Sequence, residues 1–221
     1  MARSTGSVAG PGSGQHDPVE LLLIRHALPL RVENADGPAD PPLAEAGHRQ
    51  ARALAEWLAP EPLDRLYVSP LTRARETAVP LAEARGLEPI VEEGVAEFDK
   101  DADSYVPMEE LKTSGDPRWH EIVGGGYFGD TSPDEFQSTV VHAIERIVAD
   151  NPGGTVAVVC HGGVINAYLA HVLDLDDLLF FEPAYTSISR VVASRRGHRM
   201  LVSANETAHL RGIDAPQHPP R

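Results

Sequence analysis

Two nearly unbroken apolar runs stand out along this chain, Val19 to Ile24 and Thr155 to Cys160. Runs of this length, bounded by breakers, read as strands buried on both faces of a parallel or mixed sheet. Leu66-Tyr67-Val68 and Glu88 to Val91 read as two shorter strands. Between them the period changes. Leu54, Trp57 and Leu58, with Ala46, Ala51 and Ala53, predict an amphipathic helix over Leu43 to Ala59, which Pro60 and Pro62 end. A second helix is expected from Leu71 to Arg85, with Ser69 as cap, Glu76 as an early acid and Pro80 as an internal kink. Ser132 at N-cap and Pro133 at N1 open a third, which runs to about Asp150 through Phe136, Val140, Val141, Ile144, Ile147 and Val148. A fourth follows His161-Gly162-Gly163. Two final strands, Ser187 to Ala193 and Arg199 to Ala204, are joined by the turn Arg195-Arg196-Gly197-His198. Strands alternating with helices in this way predict an α/β fold, a three-layer α/β/α sandwich around a mostly parallel sheet.

One stretch escapes the pattern. Between Glu92 and Phe136 the chain is acidic and punctuated by Gly and Pro, with no clean periodicity. Its Phe98, Tyr105, Trp119, Tyr127 and Phe128 argue against plain disorder. We read residues 92–136 as an insertion or lid over the strand ends, within one domain spanning 19–210. Residues 1–18, rich in Gly, Ser and Pro and without an apolar h-region, read as a disordered lead-in, and 211–221 as a tail.

Composition narrows the partners. The net charge of −14 argues against nucleic acid, whose phosphates are bound by basic surfaces. It leaves room for a small phosphorylated substrate, which needs only a local positive cluster. No apolar run is long enough to span a membrane. The single cysteine, Cys160, fits a reducing compartment and a cytoplasmic protein.

The chemistry gathers where the strands end. In open α/β sheets ligands collect beyond the carboxyl ends of the strands. Arg25 and His26 follow the first apolar run directly, and His161 follows the other long one. A guanidinium fork and an imidazole suit phosphate binding, with the imidazole able to attack or carry a proton near neutral pH. Arg73 stands in the first turn after the Ser69-Pro70 strand end, where the helix N-terminus also favours an anion. Neither His26 nor His161 has a companion at metal-motif spacing, so neither a metal nor another cofactor is expected.

In this setting the chain resembles the histidine phosphatase superfamily, the phosphoglycerate-mutase-like fold. LLLIRHA looks like its first motif, and PLAEAGHRQARALAEWL like the helix that follows, with Gly47 and Gln50-Ala51 in their usual places. YVSPLTRARETA is similar to its Ser-Pro-x-x-Arg-Ala-x-x-Thr stretch, and VAVVCHGGVINAYL to its second histidine motif. SISRV and NETAHL also look familial. The resemblance implies a nucleophilic His26, with Arg25, Arg73 and His161 binding the phosphoryl oxygens. It also implies a carboxylate proton donor after the third strand, where Glu97 fits and Asp99 competes. Two departures bear on the reaction. Ala27 stands where Gly is usual, and Val32 where mutases and many sugar-phosphate phosphatases carry Asn. With no basic residues evident for a bisphosphorylated cofactor, the expectation is a metal-independent phosphomonoesterase acting on a small phosphorylated substrate or a phosphoprotein. A homodimer is compatible with it. The alternatives are a phosphoglycerate-mutase-type phosphotransferase and a non-catalytic phospho-ligand-binding module of the same fold.

Overall fold

The computed structural model describes residues 18–123 and 132–213. The sheet-forming segments are β1 (Val19–Arg25), β2 (Arg65–Val68), β3 (Ile90–Val91), β4 (Thr155–Cys160), β5 (Ile188–Ala193) and β6 (Arg199–Glu206). They form one sheet in the order β3-β2-β4-β1-β5-β6. β1 and β2 flank β4 in parallel, and β3 pairs parallel to β2. β5 runs antiparallel to β1, and β6 antiparallel to β5. The mostly parallel α/β/α expectation therefore holds for the described residues, with an antiparallel hairpin on one edge.

The apolar runs are unbroken because both faces of the central strands are covered. Leu22 and Ile24 of β1 face one way, against α1 (Glu45–Leu58) and α2 (Thr72–Arg85), which bring Leu54, Leu58, Ala74, Ala78 and Leu81. Leu21 and Leu23 face the other way. There they meet α5 (Pro133–Asp150) and α6 (Gly162–Leu173), which follow the short helices α3 (Met108–Ser114) and α4 (Pro117–Val123). Burying a Leu or Val side chain contributes about 1.5–3 kcal/mol, so the strands with two covered faces anchor the fold. No helix among the described residues is long and apolar enough to cross a membrane.

Several local expectations shift. The buried face of α1 is Gly47, Gln50, Ala51, Leu54, Ala55 and Leu58, while Trp57 is 45% exposed. The N-cap of α2 is Leu71, not Ser69. Asp40, from the loop between β1 and α1, does the capping, accepting from Thr72 N at 2.8 Å and from its hydroxyl at 2.6 Å. Glu76 accepts from Leu43 N at 2.7 Å rather than serving the helix start. The helix continues through Pro80. At α5 the Ser132–Glu135 capping box forms as its residue types require. β3 keeps only two residues of the predicted strand, and β6 extends two residues further than expected. The lead-in at 1–17, the end of the tail at 214–221 and the stretch 124–131, with Tyr127 and Phe128, lie outside the described residues.

Candidate active site

Sheet register brings the two histidines together. Arg25 pairs with Cys160 across β1 and β4, so the residues that follow each strand emerge side by side. His26 N donates to Cys160 O at 2.9 Å, and the His26 and His161 rings lie 5.1 Å apart, centroid to centroid. On the other side of β4, Val68 pairs with Val159, and Ser69 N donates to Val159 O at 3.0 Å. That strand end launches α2 with Arg73 in its first turn. Glu97 arrives from the turn after the 3-10 segment Glu93–Val95. All five predicted site residues, Arg25, His26, Arg73, Glu97 and His161, are buried and border this one spot.

Each is held by groups that fix its chemistry. His26 Nδ1 lies 2.8 Å from Ala27 O. A carbonyl can only accept, so Nδ1 carries the proton and the lone pair is left on Nε2. Burial, then the charges of Arg73 and Arg25, hold the His26 pKa well below its ordinary value, so the ring is neutral at pH 7. His161 is shifted the same way by burial, Arg73, His26 and Arg25. Its Nε2 meets Ser69 Oγ at 2.7 Å. The main chain beside His26 is braced as well. Ala27 N donates to Thr77 Oγ1 (2.9 Å), Thr77 Oγ1 donates to Arg73 O (2.7 Å), and Leu28 N donates to Gln50 Oε1 (2.9 Å). α1 can approach this closely because position 47 is glycine, where a Cβ would sit 2.1 Å from Leu28 O.

The arginines are positioned from behind. Arg25 donates to Pro183 O at 2.6 Å and stacks on the Tyr185 ring at 3.9 Å. Arg73 pairs with Asp99 at 3.1 Å, lies 4.6 Å from the Tyr105 centroid and reaches Asp40 at 4.0 Å. Burial works against its charge, and Asp99, Tyr105, Glu97 and Asp40 more than offset that. Two polar atoms on these side chains remain: Arg73 Nε and His161 Nδ1 are buried with no hydrogen-bond partner among the described residues. Buried polar groups are almost always paired, so the unpaired Arg73 Nε–H, with two guanidinium groups at this spot, suits an anion.

Glu97 is the opposite case. Its carboxylate accepts from Gly163 N at 2.9 Å and Phe98 N at 3.2 Å. Burial and the neighbouring Asp99 charge nevertheless raise its pKa to about 7, against the pull of those bonds and of Arg73. A carboxyl that is protonated near neutrality is suited to donating a proton, whereas Asp99 is engaged with Arg73. The docking of Glu97 depends on the absence of a side chain at 163. A Cβ there would lie 2.3 Å from Glu97 Oε1 and 2.8 Å from the Phe98 ring. Gly163→Ala is expected to push Glu97 off its backbone anchor. Any reaction that draws its proton from Glu97 should then slow by ~10²-fold or more, since misplacing a reacting group by about 1 Å costs that much. Steady-state kinetics check it; full activity would show that Glu97 is not needed in this position.

Sequence reading missed the supporting residues. Tyr105 and Tyr185 flank the His26 ring at 6.5 and 5.7 Å, yet in sequence they are isolated aromatics in irregular segments. Ser69 was recognisable as polar at a strand end, but its hydrogen bond to His161 depends on sheet order. Among the described residues no group of three His, Cys, Asp or Glu side chains could hold a metal ion.

Residues 21–207 match the sequence profile of the histidine phosphatase superfamily (branch 1). Phosphoserine phosphatase 1 of Hydrogenobacter thermophilus is 32% identical over 199 residues, covering 87% of this chain and 94% of that protein. Among solved structures, phosphoserine phosphatase from Entamoeba histolytica in complex with phosphoserine superposes with a TM-score of 0.69 at 26% identity, covering 87% of this chain and 99% of that one. Phosphoglycerate mutase from Bacillus anthracis gives a TM-score of 0.70 at 19% identity, covering 92% and 100%, which speaks for the fold alone.

Proposed function

This chain belongs to the histidine phosphatase superfamily (branch 1), and on that premise we propose that it hydrolyses phosphomonoesters through a phosphohistidine on His26. The observation that carries this reading is the neutral His26, its lone pair on Nε2, set among Arg25, Arg73 and His161 with the buried Arg73 Nε and His161 Nδ1 unpaired. Nε2 attacks phosphorus as the bond to the ester oxygen breaks, and the leaving alkoxide takes the Glu97 proton. Arg25, Arg73 and His161 stabilise the charge on the transferring group. Water then attacks the phosphohistidine as its proton passes to the Glu97 carboxylate. The P–N bond breaks, and inorganic phosphate leaves with His26 neutral again.

The phosphoserine phosphatases among its relatives support a small phosphorylated hydroxy compound as substrate. We take the described part of residues 92–136 as the covering segment that selects it, since Tyr105 from this stretch reaches both Arg73 and His26. Hydrolysis is favoured over mutase transfer because Asp99 and Asp40 already share Arg73, leaving acidic surroundings for a second phosphate. Cys160, fully buried with its thiol pKa pushed up by burial, fits a cytoplasmic setting.

Single-turnover trapping with p-nitrophenyl phosphate in EDTA tests the reading. An acid-labile, base-stable phosphoprotein should form in wild type, be absent in His26→Ala and clear with water. Phosphate binding with neither label nor turnover would favour the binding-module alternative.

A further inference from the structure

Residues 183–187 grip the Arg25-His26 pair from several sides. Pro183 O accepts from the Arg25 guanidinium, and Tyr185 stacks on Arg25 while flanking His26. Ser187 O accepts from Arg25 N at 3.2 Å. Thr186 N donates to both Arg25 O (3.0 Å) and His26 O (3.3 Å). To turn its N–H onto those carbonyls, Thr186 adopts φ +55°, the left-handed region that a β-branched residue rarely enters. Such backbone persists only where surrounding contacts over-determine it.

Those contacts come from the end of the domain. Asn205 Oδ1 accepts from Ala184 N at 2.7 Å. His209, in the 3-10 turn Ala208–Leu210, meets the fully buried Thr186 Oγ1 with Nε2 at 3.0 Å. Trp57, the one expected core residue that α1 leaves exposed, lies over His209 with ring centroids 6.4 Å apart. Burial lowers the His209 pKa to about 4, so the imidazole is neutral and acts as a hydrogen-bonding strut, not a charge.

We propose that His209 is a positioning residue for the reaction: by holding Thr186 in its strained conformation it fixes the main chain of Arg25-His26 and aims the nucleophile. The inference rests on His26 being that nucleophile. It predicts a larger loss in the phosphorylation step than in anion affinity, because Arg73 and His161 are held elsewhere and Asn205 still anchors Ala184, between the Pro183 and Tyr185 that hold Arg25.

The test uses the full chain with p-nitrophenyl phosphate. The variants are His209→Ala, His209→Gln and Thr186→Val, which keeps the branched shape and removes Oγ1. The rate of phosphoenzyme formation and kcat should fall about 10- to 100-fold in His209→Ala and Thr186→Val. The inhibition constant of inorganic phosphate should stay within about threefold of wild type, and His209→Gln should recover much of the rate. Rates within twofold of wild type in both of the first two variants would overturn the proposal. So would parallel losses of rate and phosphate affinity that glutamine does not rescue, since these indicate general support of the fold. Wild type trapped alongside separates the two readings: no label in wild type removes the phosphohistidine premise, whereas a normal label in wild type and variants alike removes only the role of His209.

Discussion

His26→Ala should abolish turnover while leaving phosphate or vanadate bound. The rate is expected to fall on the order of 10⁴-fold or more, the scale on which loss of an attacking group acts when the rest of the site survives. Anion affinity should survive because no other phosphate ligand depends on the His26 ring. Arg25 is fixed by Pro183 O and Tyr185, Arg73 by Asp99 and Tyr105, and His161 by Ser69. The ring is also neutral, so removing it leaves the positive charge of the site unchanged. Inhibition of residual activity, or calorimetric titration with phosphate, should give a dissociation constant within about tenfold of wild type, a change of at most ~1.4 kcal/mol. Turnover above a hundredth of wild type would place the nucleophile elsewhere. Loss of binding together with turnover would make His26 a phosphate ligand first.

The strands and the strand-end residues were legible because they follow from local rules. Apolar runs buried on two faces, a histidine after each long one, and an arginine in the first turn of a helix all carry their signal within a few positions. The capping box at Ser132 is the same kind of fact. What sequence reasoning missed depends on how distant segments meet. Asp40 caps α2 across 32 positions, Ser69 meets His161 across 92, and Thr186 meets His209 across 23. Periodicity could not place Trp57 either. Its spacing from Leu54 matches a core face, yet the face is set by Gly47 and Gln50, which let α1 close on Leu28. Glu97 shows the boundary most clearly. Its position was suggested by resemblance, but the reason it can give up a proton near pH 7 is its burial beside Asp99 under a glycine-initiated helix.

Glu97→Gln should therefore separate substrates by their leaving group. An alkyl phosphate such as O-phosphoserine leaves as a strong base and needs the Glu97 proton, so its rate should drop by ~10²- to 10⁴-fold. p-Nitrophenolate leaves without one, and its rate of phosphoenzyme formation should change far less. The pH profile carries a second signature. With a pKa of about 7, Glu97 loses its proton as pH rises through neutrality, so wild-type kcat/KM on the alkyl ester should decline above that point. In Glu97→Gln this limb should vanish. Asp99→Asn should keep the limb but move it to lower pH, because one cause of the raised value is removed. Equal losses on both substrates, or a leaving-group dependence that follows Asp99 instead, would transfer the acid role. Stability should move the other way. The folded chain holds the Glu97 proton to about pH 7, whereas the unfolded chain releases it near the ordinary carboxylate value, so wild type loses stability as pH rises between the two. Glutamine does not titrate. The melting temperature of Glu97→Gln relative to wild type should therefore climb from pH 4.5 to pH 8, by an amount reflecting up to about 3 kcal/mol. A buried carboxyl that holds its proton to about pH 7 makes the fold around it less stable as pH rises, and glutamine, which cannot titrate, should remove that pH dependence.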